Sequence, residues 1–401
     1  MDTASARAQD PLGGGRIYVL GFVSMTASLS TDMYLPAFPA MSADLGASAS
    51  AVQLTLTAFL IGAALGQLTI GAVSDALGRR RILIVALALF SACAFAAALS
   101  PTLEALVAIR GVQGLAGAGG AVLARAVIAD LVAHDRAVRA FSTLFVMIAL
   151  GPVLASPLGA LLTQWQGWRA ALGGLAVVSV AMLALAVVAV PESLPPDRRH
   201  SLRVRVLAGN LLSLLRVPAY VGYLLAFSVG YAAFMTYISS SSFIVQDALD
   251  RSAVEYAAAF SAASLSVMAG AWLNGRLASR WGGAGTLTVA QAIVLCASLT
   301  LALLALTDTL TFGWWIIVAC VLCAGCGGVM AGASALAVRQ AGRAAGAGSA
   351  LLGFTQFTFG ALVSPLGGAW GTSSAAPAAL VMTCAAGLAL GTGLFARTRG
   401  T

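Results

Sequence analysis

Residues 17–39 read IYVLGFVSMTASLSTDMYLPAFP. A bilayer-spanning helix needs about 20 mostly apolar residues, and this run supplies them with a single charge, Asp32. Placing a carboxylate at that depth costs roughly 2.5–3.5 kcal/mol on insertion scales. A chain that keeps one there is expected to use it for proton or substrate handling. Pro36 follows closely. A proline frees a backbone carbonyl, which is tolerated where the helix lines protein or a wet cavity. No small-residue cleavage site follows the run, so it is read as a retained helix rather than a signal peptide.

The rest of the chain has the same character. Of 401 residues, 60% are hydrophobic and 9% charged, with mean hydropathy +0.94. Soluble domains carry about 25% charged residues, so the soluble classes are excluded. Twelve apolar stretches can be counted, near 17–38, 51–73, 82–100, 104–124, 140–162, 170–190, 217–238, 254–274, 286–306, 312–335, 346–369 and 376–396. The expected fold is an all-α membrane protein of twelve transmembrane helices.

The net charge of +8 is explained by topology, not by nucleic acid. All 22 basic residues are arginine. With the N-terminus in the cytoplasm, Arg169 and Arg251 fall outside, Arg110 falls within the membrane, and the others fall inside, which is the positive-inside pattern. Both termini are then cytoplasmic. Lysine is absent, so the chain offers no P-loop lysine for a standard ATP motor. Cys320, Cys323 and Cys326 have a metal-like spacing, but beside Gly325, Gly327 and Gly328 they read as small-residue helix packing. Neither metal nor cofactor is expected. His134 and His200 fall in cytoplasmic loops and read as surface residues.

The longest polar interruption, Pro191–Arg216, cuts the chain nearly in half. This sets out residues 1–190 as one six-helix bundle, 191–216 as a cytoplasmic linker and 217–401 as a second bundle. The halves echo each other. Gly71, Asp75 and Gly78 recur as Gly275, Ser279 and Gly282 at an offset of 204, and Ser156-Pro157-Leu158-Gly159 recurs as Ser364-Pro365-Leu366-Gly367 at an offset of 208. Two units in the same orientation form a parallel repeat, which puts a substrate site at their interface near the midplane.

Four groups of residues are candidates for function. Gly71, Asp75, Gly78 and Arg79 join the second and third stretches, where glycines allow a tight turn and the charges can latch two bundles; the plain alternative is a solvated topogenic loop. Arg110 opens the fourth stretch and either answers to a buried carboxylate or snorkels to the outer interface. The glycines after it, Gly114, Gly117, Gly119 and Gly120, have no preceding strand and read as helix packing, not a phosphate loop. Gly151, Pro152, Pro157 and Gly159 combine close approach with a kink. Tyr220, Tyr223, Phe227, Tyr231 and Phe234 share one helical face, which suits flat lipophilic molecules or plain packing, and Tyr220 alternatively belongs to the interfacial aromatic belt.

The 71–81 segment resembles the loop signature of the major facilitator superfamily. Ser30-Thr31-Asp32-Met33-Tyr34-Leu35-Pro36, Gln53-Leu54-Thr55-Leu56-Thr57 and Glu192-Ser193-Leu194-Pro195-Pro196-Asp197-Arg198-Arg199 resemble its bicyclomycin/chloramphenicol resistance (Bcr/CflA) subfamily of drug–proton antiporters. The resemblance implies the major facilitator fold, proton coupling through Asp32 and Arg110, and an antiporter motif at Gly151, Pro152, Pro157 and Gly159. Tyr34 joins the aromatic residues as a candidate drug contact. Where the subfamily commonly has Arg-Asp at the end of the fourth helix, this chain has Ala129-Asp130, with Arg125 as a substitute partner. The expected function is proton-coupled export of lipophilic neutral drugs from the bacterial cytoplasmic membrane by a monomer, with protons, drug and lipid as its partners and no nucleic acid. The alternative is proton-coupled movement of a small metabolite. An intramembrane enzyme is disfavoured because no His or Glu lies deep in a span.

Overall fold

The computed structural model describes residues 14–132, 134–199, 209, 211–369, 371 and 374–399, and its described residues are helical with short connections. Arg7, His200, Arg203 and Arg205 lie outside that set, as do the side chains of His134, Arg136, Arg198 and Arg343. Among the described residues, eleven helices are long and apolar enough to cross a membrane. They are α4 (Ala49–Leu77), α5 (Arg79–Ala98), α6 (Leu103–Leu131), α7 (His134–Gln166), α8 (Trp168–Ala189), α9 (Pro218–Phe243), α10 (Ala253–Trp281), α11 (Gly283–Leu306), α12 (Phe312–Ala341), α13 (Ala345–Val363) and α14 (Ala376–Arg399).

The remaining span is the first, and it is broken. It consists of α1 (Gly14–Ser24), α2 (Thr26–Asp32), a 3₁₀ turn at Leu35–Ala37 and α3 (Phe38–Leu45). The span is therefore longer than its apolar run. The regular ladder stops at Asp32 and resumes beyond Pro36, the second residue of the 3₁₀ turn. The chain ends this span at Gly46, whose φ of 59° is left-handed and suits glycine.

Side-chain caps start four of the helices at the end of the molecule far from the termini, here the distal end. Ser48, Thr102, Ser252 and Thr311 each accept an amide hydrogen from three residues on. Ser48 and Ser252 begin α4 and α10, which both run for 29 residues. Those two helices also end alike, at Gly78 with φ 99° and Gly282 with φ 75°. Cap, length and stop recur at the repeat offset, so the second half is built as the first is. Both halves are six-helix bundles. They meet along two seams, α4 against α13 and α7 against α10.

Close packing within the bundles depends on small residues. A Cβ at Gly114 would overlap the Phe59 carbonyl, and one at Gly120 would overlap Thr26. A Cβ at Gly327 would overlap the Val267 carbonyl, beside the buried Cys323 and Cys326. These glycines seat helix on helix.

Candidate functional site

Asp32 ends α2 at the break in the first span, only 3% exposed. Its carboxylate accepts one hydrogen bond, at 3.0 Å, from the Thr31 hydroxyl. Among the described residues, no cation pairs with it. Tyr231 and Tyr256, both from the second half, lie within its electrostatic range. The carboxylate therefore sits at the inner boundary between the bundles, where the helix has stopped supplying backbone partners.

Arg110 is fully buried. Its Nη1 donates to the Ser30 hydroxyl at 2.6 Å and to Gln113 Oε1 at 2.7 Å, and its Nη2 donates to the Ser30 carbonyl at 2.8 Å. The guanidinium lies between two rings, 4.4 Å from the centroid of Tyr34 and 4.5 Å from that of Phe59. Such a sandwich favours a cation. This excludes snorkelling to the interface. Nor does Arg110 answer directly to Asp32. Residues two apart on a helix face opposite ways, so Arg110 grips helix α2 at Ser30 while Asp32 points away. The gripped Ser30 and Asp32 stand two residues apart in the last turn of α2. Tyr34, just past that turn, is buried with its hydroxyl 3.1 Å from that of Thr55 and its ring edge-on to Phe38.

The glycines of α7 fix the same turn from another side. A Cβ at Gly151 would overlap the Ser28 hydroxyl, and one at Gly159 would overlap the Met33 carbonyl. Pro152 and Pro157 lie inside α7. Pro157 has no N–H to give to the carbonyl of Val153, four residues back. That carbonyl instead accepts from the Ser261 hydroxyl of α10 at 3.1 Å.

The aromatic residues of α9 do not form one open wall. Tyr220, Tyr223, Phe227 and Tyr231 are buried, and Phe234 is partly buried. Tyr220 donates to the Gly348 carbonyl at 2.9 Å, a packing role and not an interfacial one. Tyr231 stands edge-on to Phe357, and Phe234 stacks on Tyr237. Tyr237, with Phe260 and Trp315 stacked on it, was not singled out by spacing because it lies off the five-residue face. A separate apolar cavity of ≈ 660 Å³ opens between α9, α13 and α14, lined by residues such as Val229, Phe359 and Cys384. Asp32 does not line it.

The charged corner between α4 and α5 is the most densely bonded site. Arg79 pairs with Asp75 at 2.6 Å and with Asp130 at 3.1 Å. Its backbone N–H donates to Glu192 at 2.9 Å, and Ser193 donates to Asp130 at 2.9 Å. Arg199 stands 3.8 Å from Glu192. Three expectations are corrected here. Asp130 takes Arg79 as its partner, whereas Arg125 turns back to the Ala121 carbonyl. Among the described residues, the latch closes within the first half and the start of the linker and does not join the bundles. Gly71 lies inside α4, and Gly78 alone makes the turn. Sequence spacing missed the Asp130 pairing because 51 residues separate the partners. Glu192 and Ser193 were visible only as part of a resemblance.

The bonds between halves gather at the distal end. Gln53 donates to the Ser239 carbonyl at 3.0 Å, Gln246 donates to the Pro36 carbonyl at 3.1 Å, and Phe38 packs on Phe243. A helical bundle in two repeats, closed at one end over a buried carboxylate, defines a membrane transporter rather than an enzyme. The chain belongs to the Major Facilitator Superfamily, whose sequence family matches residues 20–365. It is 32% identical over 367 residues to the uncharacterized MFS-type transporter YdgK of Bacillus subtilis, covering 90% of each chain. It is 28% identical to a bicyclomycin resistance protein homolog of Haemophilus influenzae, covering 91% of this chain and 92% of the relative. A chloramphenicol resistance protein of Pseudomonas aeruginosa is also 28% identical, over 72% of this chain and 68% of its own. These relatives support the Bcr/CflA subfamily. Among solved structures, the nucleoside transporter NupG superposes with TM-score 0.74 at 15% identity, covering 96% of this chain and 98% of its own, which speaks to the fold alone.

Proposed function

We propose that this chain exports lipophilic, neutral drugs, of the phenicol or bicyclomycin kind, across the bacterial cytoplasmic membrane in exchange for protons. The observation that carries the reading is Asp32. It is a buried carboxylate with no cationic partner among the described residues, at a helix break that faces the second half. The names of the resistance relatives support drug as the cargo.

In this reading Asp32 takes a proton from outside and releases it inside as the halves rock. Arg110 holds the turn that aims it. Drug passes beside Tyr34, Tyr223, Phe227, Tyr231 and Phe234, and competes with the proton for one conformational state. The corner at Gly71, Asp75, Gly78 and Arg79 stiffens the first half so that it moves as a body. Residues 1–190 and 217–401 are the moving units, 191–216 the linker, and a monomer suffices. Arginine placement puts both termini in the cytoplasm, so the closed distal end faces outward.

The test is Asp32→Asn in a pump-deficient bacterium. Resistance is expected to vanish while the amount of inserted protein stays normal, because removing the charge also removes its insertion cost. Full resistance from the Asn variant at equal expression would falsify the carrier role.

A further inference from the structure

Two serine/threonine hydroxyls reach across the seams to backbone carbonyls of the opposite half, and both carbonyls have lost their own helix's partner to a proline. The first is the bond from Ser261 in α10 to Val153 in α7, at 3.1 Å, where Pro157 removes the N–H four residues on. The second runs from Thr57 in α4 to the Ala361 carbonyl of α13, at 3.4 Å. Pro365 stands four residues beyond Ala361. The ladder of α13 continues to Ser364, which donates to Gly360, and stops at the next residue because Pro365 has no N–H.

The arrangement obeys the internal repeat. Thr57 and Ser261 differ by 204 residues, and Val153 and Ala361 by 208, the offsets of the two repeated motifs. Each donor is the ninth residue of its 29-residue helix. The two bonds are images of each other across the molecule, and each links a first-half residue to a second-half one.

We propose that Thr57 and Ser261 are a symmetric pair of latch residues, which hold the distal end shut by bonding to the carbonyls released by Pro365 and Pro157. The inference rests on the rocking of two halves but not on the identity of drug or coupling ion. Its physics is simple. A carbonyl inside a bilayer must find a donor. An intact ladder supplies one permanently, whereas a proline leaves the carbonyl available to a donor that comes and goes. When the distal end opens, water can replace the hydroxyl at both sites, so each bond contributes only its small net value. A bond of that size suits a transition that must reverse in every cycle. The prolines therefore act as more than kinks: each exposes the acceptor on one seam.

The experiment measures the open-to-closed ratio of the distal end without drug. Spin labels go on Ala43→Cys and Val254→Cys, in a background whose six native cysteines are replaced. Thr57→Ala and Ser261→Ala are each expected to raise the ratio, Ser261 by about 5-fold and Thr57 by less, since its bond is longer. The hydroxyl-keeping variants Thr57→Ser and Ser261→Thr are expected to stay within about 2-fold of the parent. Pro157→Ala restores an N–H that takes the Val153 carbonyl. It should raise the ratio as Ser261→Ala does, and the double variant should add nothing further. If Pro157→Ala fails to insert, the hydroxyl variants decide alone. Alanine variants with an unchanged ratio, or Ser261→Thr behaving like Ser261→Ala, overturn the proposal. So do multiplying effects of Pro157→Ala and Ser261→Ala. The readout uses no drug, so a failed export assay leaves it intact.

Discussion

In the proposed function Arg110 serves transport by holding helix α2 at Ser30, and its loss should show that. In Arg110→Ala the Ser30 hydroxyl and carbonyl and the Gln113 amide lose their partner inside the bundle. Leaving a buried polar group unsatisfied costs about 1–3 kcal/mol, so export is expected to fall at least 10-fold with reduced thermal stability. Arg110→Lys keeps the charge between the rings of Tyr34 and Phe59 but cannot make the forked contacts, so partial recovery is expected. Transport and melting measured together on the two variants check this; an Ala variant with full transport excludes the role. A second residue reports on pH. Asp44, exposed in the polar last turn of α3 beyond the apolar run that crosses the bilayer, accepts from the Trp168 indole at 2.8 Å and from Arg169 at 2.7 Å. These bonds, the indole first, hold its carboxyl below the ordinary range. The group is ionised in the folded chain where the unfolded one begins to protonate, near pH 4. Its stabilisation is present above that pH and is lost as pH falls through the lowered folded value. Asp44→Asn should therefore lower the melting temperature at pH 7 and lower it by less at pH 3. Equal shifts at both values count against the argument. At this scale Asp32 and Arg110 were legible as isolated charges in apolar runs, but their relation was not. It depends on which side of a broken helix each one meets, and hydropathy carries no such information.

Helix existence was legible in the apolar runs, and helix ends were not. The span 51–73 grows to Ala49–Leu77 because the ladder continues into polar residues until Gly78 stops it. The span 217–238 continues to Phe243 and then into a π turn at Ile244–Ala248. Four serines, Ser239 to Ser242, cross that boundary without ending the helix, because each is buried among neighbouring helices. The packing of α7 on the first span yields a prediction at this scale. Gly159→Ala sets a methyl against the Met33 carbonyl in a bundle with no slack. Overpacking of this kind costs about 1–3 kcal/mol, and the displaced turn carries Asp32, so both melting temperature and export should fall. Gly387→Ala in α14 is the control. A Cβ there meets nothing within 4 Å, so relief of glycine's helix penalty should leave stability equal or higher by about 0.5–1 kcal/mol. If the two variants melt alike, close approach of α7 is not what fixes the turn. The α4–α5 corner gives a parallel expectation. Asp75→Asn and Arg79→Ala break one network, so they should slow turnover to a similar extent while drug affinity changes little. A sharp loss of affinity at normal turnover contradicts that role.

The whole molecule is a repeat with two asymmetries, and the second sets the expected energetics of transport. Among the described residues, the charged corner of the first half has no counterpart: where Asp75 pairs with Arg79, Ser279 turns back to the Arg276 carbonyl. The buried carboxylate has none either. Among the described residues, Asp32 is the acid that lies deep in a span; Glu104 and Glu255 sit in first turns and Asp130 at a helix end. One titrating group carries about one proton per cycle. The proposed exchange of one proton for one neutral drug would move one net charge inward, and the membrane potential would then contribute about 2.3 kcal/mol per 100 mV to export. Neutral drugs should be favoured over dications, which a single carboxylate does not balance. Proteoliposomes separate the possibilities. With equal pH on both sides and a potassium-diffusion potential, inside negative on the side of the termini, neutral-drug export should accelerate. It should reverse when the potential reverses, and Asp32→Asn should abolish both responses. Export of a neutral drug that ignores the potential, or dications exported best of all, would mean that charge is carried by some group other than this one carboxylate.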